Sequence, residues 1–143
     1  MKRVLIVASV ASMIDQFNME NIKLLLSLGY KVEVAANFEN PGNMSIQKKE
    51  LLTAKLKQMR VKIHQIDFSR NMKQVKNHLI AYKQLKKVVA DNKIDIIHCH
   101  SPIGGAISRL VGKTNNVKVI YTAHGFHFYK GAPLINESVK YFV

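Results

Sequence analysis

One cysteine, Cys99, stands among 143 residues. An internal disulfide framework is therefore ruled out, and a reducing compartment fits. Acidic side chains are scarce too: nine Asp and Glu face 22 Lys and Arg, a net charge of +13. No apolar stretch approaches the roughly 18 residues that a membrane-spanning helix needs, so the chain is read as cytoplasmic and at most peripheral to a membrane. The start "MKRVLIVASVASMIDQF" has the outline of a signal peptide, but its apolar run is short and reaches Asp15, which favours a first strand. Neither G-x-G-x-x-G nor a Walker sequence is present, which argues against dinucleotide binding and P-loop ATP hydrolysis, and no cofactor is expected. No helix-turn-helix, zinc finger or RNA-binding aromatic motif occurs, so charge alone speaks for nucleic acid.

What is present fits one compact domain, long enough to bury roughly 68 to 70% of its unfolded surface. Its positive field concentrates anions of any kind, whether nucleic acid, anionic lipid or a phosphorylated substrate. The plainer alternative is that the lysines only solvate helix faces.

Strand and helix signals alternate along the chain. Lys2 to Ser9 is a continuous apolar run of the kind found in strands buried on both faces. Phe17 to Leu28 has Met19, Ile22 and Leu26 at helical spacing, stopped by Gly29. Lys31 to Asn37 reads as the second strand, "NFENPGNMS" as a loop, Ile46 to Arg60 as a helix and Val61 to Asp67 as the third strand. Lys73 to Asn92 is the clearest helix, with Val75, Leu79, Tyr82, Leu85 and Val89 as its apolar stripe and Lys76, Lys83 and Lys87 opposite, contacting nothing. Ile94 to Cys99, then Gly104 to Gly112, then "VKVIYTAHG" supply strand, helix and strand. "PLINESVKYFV" resembles a helix just beginning, with Val139, Phe142 and Val143 apolar. The alternation predicts an α/β fold, an open and mostly parallel Rossmann-like sheet with helices on both faces.

In such sheets ligands bind outside the carboxyl ends of the strands. His98, His100, His124 and His127 fall at the ends of the fourth and fifth strands or in the loops after them, and share one rim if those strands are neighbours. His98 and His100, two apart, face one side of a strand while Cys99 faces the other. They suit simple hydrogen-bonded packing, a proton transfer or, together with His124 and His127, zinc. The spacing matches no recognised ligand set and no carboxylate stands nearby, so no metal is assigned. His124, followed by Gly125, could donate to a substrate hydroxyl or phosphate or exchange a proton, or be a satisfied structural group. In "SPIGG", Ser101 precedes Gly104 and Gly105, placed where a helix N-terminus would offer amides to an anion, although steric need explains such glycines equally well. Ser12, three residues before Asp15, reads as a capping box. Arg70 in "DFSRN" either clamps a diphosphate or lies in solvent. Phe126, Phe128 and Tyr129 offer flat apolar faces to a sugar or a lipid tail.

The stretches "IDIIHCHSPIGG" and "VIYTAHGFHFYKGAP", with "RVLIVASVASMIDQFNMENIKLLLSLGYKVEVAAN" and "IDFSRN", resemble the N-terminal half of a retaining glycosyltransferase with two Rossmann-like domains, the GT-B arrangement. The family concerned builds capsular and other bacterial surface polysaccharides. The resemblance implies that 1–143 is one acceptor-side domain, with the C-terminal donor-binding domain absent, and that the activity is transfer of a sugar from a nucleotide-sugar donor to a saccharide or lipid-linked acceptor at the inner face of the cell membrane. It implies a catalytic position for His124, beside the transferring sugar. His98, His100, Ser101, Gly104, Gly105, Gly125, Phe126, His127, Arg70 and Ser12 become substrate-side residues. The first loop, "SVASMIDQF", lacks the paired glycines that many relatives set against the donor diphosphate. Turnover is expected to need a C-terminal domain or a separate donor-binding subunit. The competing reading is a basic, non-enzymatic module for nucleic acid or an anionic membrane, with no specific nucleic-acid recognition.

Overall fold

Every residue from Val4 to Val10 is 5% exposed or less, which is why this run is apolar without alternation: it forms the central strand, β1 (Arg3–Val10), covered on both faces. The computed structural model describes residues 2–69, 71, 73–123 and 139–142. Around β1 lie β2 (Lys31–Asn37), β3 (Lys62–Gln65), β4 (Ile96–His100), β5 (Lys118–Ala123) and β6 (Val139–Phe142), in the sheet order β3-β2-β1-β4-β5-β6. The first five strands are parallel, and β6 runs antiparallel to β5. The result is the open, mostly parallel Rossmann-like α/β sheet that the alternation predicts.

The period-two alternation of β1 divides the core. Val4, Ile6 and Ala8 pack with Val34, Ile22, Leu52 and Leu56 under α1 (Ala11–Met13), α2 (Met19–Ser27) and α3 (Ile46–Gln58). Leu5 and Val7 pack on the other face with Ile97, Leu85, Val89, Ile107 and Val111, under α4 (Val75–Asp91) and α5 (Pro102–Asn115). Each fully buried aliphatic side chain contributes about 1.5–3 kcal/mol. The chain adds β2 and β3 on one side of β1, then crosses to add β4 and β5 on the other. The topological switch therefore falls between β1 and β4, where ligand crevices open in such sheets.

Two irregularities sit where β1 feeds its helices. The β1–β2 ladder slips between Val7 and Val10, a bulge that puts one extra residue into β1. Between α1 and α2 the helix widens into a π-helical turn, Ile14–Asn18. There the buried Asn18 side chain donates its Nδ2 to the Met13 carbonyl at 3.0 Å, five residues back, wedging the turn open.

Three sequence expectations change. Val139–Phe142 is a strand, not a nascent helix: pairing along the outer edge of β5 satisfies backbone groups that would otherwise stay open. The buried face of α4 is Ala81, Leu85 and Val89, whereas Val75 and Leu79 are 62% and 56% exposed. The covered stripe of this 17-residue helix begins only at Ala81, so its first turns leave their apolar side chains exposed. Lys87 is not idle, pairing with Asp91 at 2.9 Å, although an exposed pair of this kind adds little stability.

Candidate functional site

Two serines close the crevice at the switch point. Ser9, near the end of β1, and Ser101, just past β4, lie with their hydroxyls 2.6 Å apart. Ser101 has φ 75° and ψ 150°, a combination that is nearly confined to glycine and marks a strained position held by its surroundings. Pro102 behind it favours the extended ψ, and the bond to Ser9 explains why this N-cap residue makes no side-chain bond to its own helix.

α5 begins at Pro102 rather than at Gly104, which alters the expected anion cradle. Pro102 has no N–H, and the Gly105 amide already donates to the Ser101 carbonyl at 2.8 Å, so Ile103 and Gly104 carry the first-turn amides that the helix does not use. Both glycines have a steric role. A Cβ on Gly104 would come within 3.0 Å of the Ser101 hydroxyl, and one on Gly105 within 2.7 Å of the Tyr121 ring. Over that ring the Arg109 guanidinium lies 5.7 Å from the centroid.

Ser12 is not a helix cap. β1 passes directly into α1 with Val10 in the cap position and no side-chain cap bond. Ser12 is buried, its amide donates to the Pro41 carbonyl at 2.9 Å, and its hydroxyl abuts Gly42, where a Cβ would lie 2.7 Å away. Gly42, at φ +85°, takes a conformation natural only to glycine.

β4 and β5 are neighbours, and His98 and His100 share one face with ring centroids 4.4 Å apart. His98 is the middle residue of β4, not a rim residue, and its Nε2 lies 2.6 Å from the Thr122 hydroxyl. His100 ends the strand, fully buried, opposite Thr122 in the ladder. Among the described residues no group of three or more His, Cys, Asp or Glu could hold a metal. Arg70, His124, Gly125, Phe126 and His127 lie outside the described residues.

Cys99 points the opposite way, into the α4–α5 core, fully buried. Burial pushes its thiol up to about 11, against smaller opposing effects of Ser108 and Arg109. Since the thiolate is the reactive form, the native protein at pH 8 is expected to resist a thiol-exchange reagent such as 5,5′-dithiobis(2-nitrobenzoate) and to react fully in denaturant. Rapid labelling of the native state would contradict this.

A cavity of about 620 Å³ opens at the carboxyl ends of β1, β2 and β3, with Asn37, Glu39, Asn40 and Asp67 among its lining residues. Sequence reasoning passed over this group apart from "DFSRN", although the signal was there: polar side chains directly after two apolar strands. Asn37, buried, donates to the Phe68 carbonyl at 2.9 Å and accepts from the Asn40 amide at 2.8 Å and Gln65 Nε2 at 3.0 Å. Asp67 accepts from Gln65 at 3.0 Å and Gln84 at 2.9 Å. These two bonds, Gln65 first, hold its carboxyl below the usual range, so it stays ionised at neutral pH.

Known proteins share this fold. A family described as glycosyl transferase 4-like matches residues 3–143. Glycosyltransferase EpsD of Bacillus subtilis (strain 168) is 36% identical over 98% of this chain, which spans only 33% of that protein. MurG of Acinetobacter baumannii superposes with a TM-score of 0.62 at 18% identity, over 87% of this chain and 35% of its own. The zinc-inhibited form of teicoplanin deacetylase Orf2 superposes as well, with a TM-score of 0.63 at 9% identity over 85% of this chain and 67% of its own. Similarity at that level describes the fold and does not choose between chemistries. The choice comes from the family match, which runs from β1 to the end of the chain: this protein belongs to the glycosyl transferase 4-like family.

Proposed function

We propose that the chain is the N-terminal, acceptor-side domain of a retaining glycosyltransferase, one that moves a sugar from a nucleotide-sugar donor to a lipid-linked saccharide during assembly of bacterial surface polysaccharide. The observation that carries this reading is the family match over residues 3–143, supported by the identity with EpsD. A second domain or subunit supplies the donor pocket. His124 acts beside the transferring sugar. His98, His100, Ser101, Gly104, Gly105, Ser12, Arg70, Gly125, Phe126 and His127 belong to the substrate side.

The exposed apolar start of α4 supports a membrane-facing acceptor. Val75, Leu79 and Ile80 are 62%, 56% and 45% exposed beside the exposed Lys73, Lys76 and Lys83, and a basic side chain near an anionic bilayer adds about 1 kcal/mol of binding. Among the described residues no helix is long and apolar enough to cross a membrane.

The test is transfer from nucleotide sugars to lipid-linked saccharides by the longer protein that contains this domain. His124→Ala is expected to lower turnover about a hundredfold or more with its melting temperature unchanged. Full activity in that variant would remove His124 from the mechanism, and failure with every nucleotide sugar would overturn the reading.

A further inference from the structure

We propose that Ser9 is a positioning residue for sugar transfer: its hydroxyl pins Ser101 in a backbone conformation that serine does not otherwise keep, and so sets the turn between β4 and α5 for the reaction. This deepens the acceptor-side reading and rests on it. The β1–β4 register pairs Ile6 with His98 and Val7 with Cys99, and two residues further along it sets Ser9 opposite Ser101. Their hydroxyls meet at 2.6 Å, at the short end of the range for such pairs. Ser9 is only 3% exposed, so water does not take over when one hydroxyl is removed, and the other is left unsatisfied.

Ser101 needs such a hold. Asn116, at the other end of α5, also has positive φ, but with ψ 48° it sits in the left-handed helical well that asparagine tolerates. Ser101, at φ 75° and ψ 150°, lies outside that well, in a region that is essentially glycine's. Two bonds hold it there. The Gly105 amide grips its carbonyl at 2.8 Å and Ser9 grips its side chain, so rotation back to negative φ has to break one of them.

α5 closes over this pin. A Cβ on Gly104 would lie 3.0 Å from the Ser101 hydroxyl oxygen and 3.6 Å from both the amide nitrogen and the hydroxyl of Ser9, so the first turn of the helix rests directly on the pair. Ser9 from β1, Ser101 from the turn and Gly104 from α5 thus form one unit across the switch point, where ligand crevices open. Without the Ser9 hydroxyl, Ser101 falls back to negative φ and turns Pro102 and the start of α5 away from their places beside His100. A displacement of about 1 Å in groups that position a substrate can cost about a hundredfold in rate. The donor pocket belongs to the second domain or subunit and is untouched.

The experiment combines NMR of the 13C,15N-labelled chain with steady-state transfer by the longer protein that contains it. At positive φ the HN and Hα of a residue lie close together and give a strong intraresidue NOE. That NOE is expected at Ser101 in the parent and should fade in Ser9→Ala. In the longer protein Ser9→Ala should lower kcat per folded molecule about tenfold or more with KM for the nucleotide sugar unchanged. Adding Ser101→Gly, which supplies a residue at ease at this φ, should return part of the lost kcat, a recovery that a purely structural role for the Ser9 hydroxyl does not produce. A strong Ser101 NOE that persists in Ser9→Ala, or a further fall in kcat on adding Ser101→Gly, would overturn the proposal. Undiminished kcat in Ser9→Ala, in a protein whose parent transfers sugar, would remove the positioning role and keep the transferase. A parent that transfers no sugar would remove the transferase and with it any part for Ser9 in the reaction, even where Ser9→Ala releases the Ser101 backbone.

Discussion

A single methyl group added at Gly112 is expected to lower the stability of this domain by about 3 kcal/mol, with a fall in melting temperature of about 6–12 °C. Glycine to alanine within a helix ordinarily stabilises, by roughly 0.5–1 kcal/mol, because alanine loses less backbone freedom on folding. Here the sign reverses. A Cβ at Gly112 would lie 2.3 Å from a Val119 methyl and 2.8 Å from the Val117 carbonyl. Val119 is a buried core residue, and the Val117 amide is tied to the Gly112 carbonyl at 2.8 Å, so neither neighbour yields without moving α5 away from β5. Urea denaturation of Gly112→Ala measures the loss, and adding Val119→Ala should recover part of it by vacating the contested space. An unchanged or raised melting temperature would show that the helix lifts freely from the sheet.

His64→Leu is expected to cost about 1–3 kcal/mol, because the single hydrogen bond that disappears leaves a buried acceptor unsatisfied. Glu33 in β2 and His64 in β3 meet with Oε1 and Nε2 2.7 Å apart, their side chains 2% and 12% exposed. Removing the imidazole leaves the buried Glu33 carboxyl group without its hydrogen-bond partner, whereas replacing both residues with leucine removes the buried polar group along with its need for one. The double variant Glu33→Leu/His64→Leu should therefore stand much closer to the parent than His64→Leu alone. Denaturation midpoints for the four members of that cycle decide the matter, and simple additivity of the two single changes would contradict it.

The sheet was legible in the sequence because a parallel strand buried on both faces has little choice of residue. The run from Val4 to Val10, the second strand at Lys31–Asn37 and the glycine at position 29, with φ +91°, all carry their reasons in their composition. The exposed start of α4 was not legible: Val75 and Leu79 lie on the same helical stripe as Leu85 and Val89, and only the tertiary packing decides which are covered. Nor was β6, whose four residues become a strand through a partner more than fifteen positions away. At the site, the facing of His98 and His100 followed from period two, but the role of Thr122 depends on which strand lies alongside. The polar cavity is not legible because its members come from the loops after β2 and β3, the end of β1 and the start of α4, none a motif on its own. Ser101 gave no warning, since a backbone held at positive φ by a neighbouring hydroxyl leaves no trace in residue type.

The bulge in β1 and the wide turn at Ile14–Asn18 each insert one residue more than a regular strand or helix requires, and they lie on either side of the same corner. That corner is nevertheless sealed: Ala11, Ile14 and Asn18 are fully buried, and Ala11 and Ile14 pack in the same cluster as Val4, Ile6 and Val34. Removing either extra residue would rotate Ile14 out of its seat, so the irregular corner and the cavity edge at Val10 are fixed by the interior beneath them.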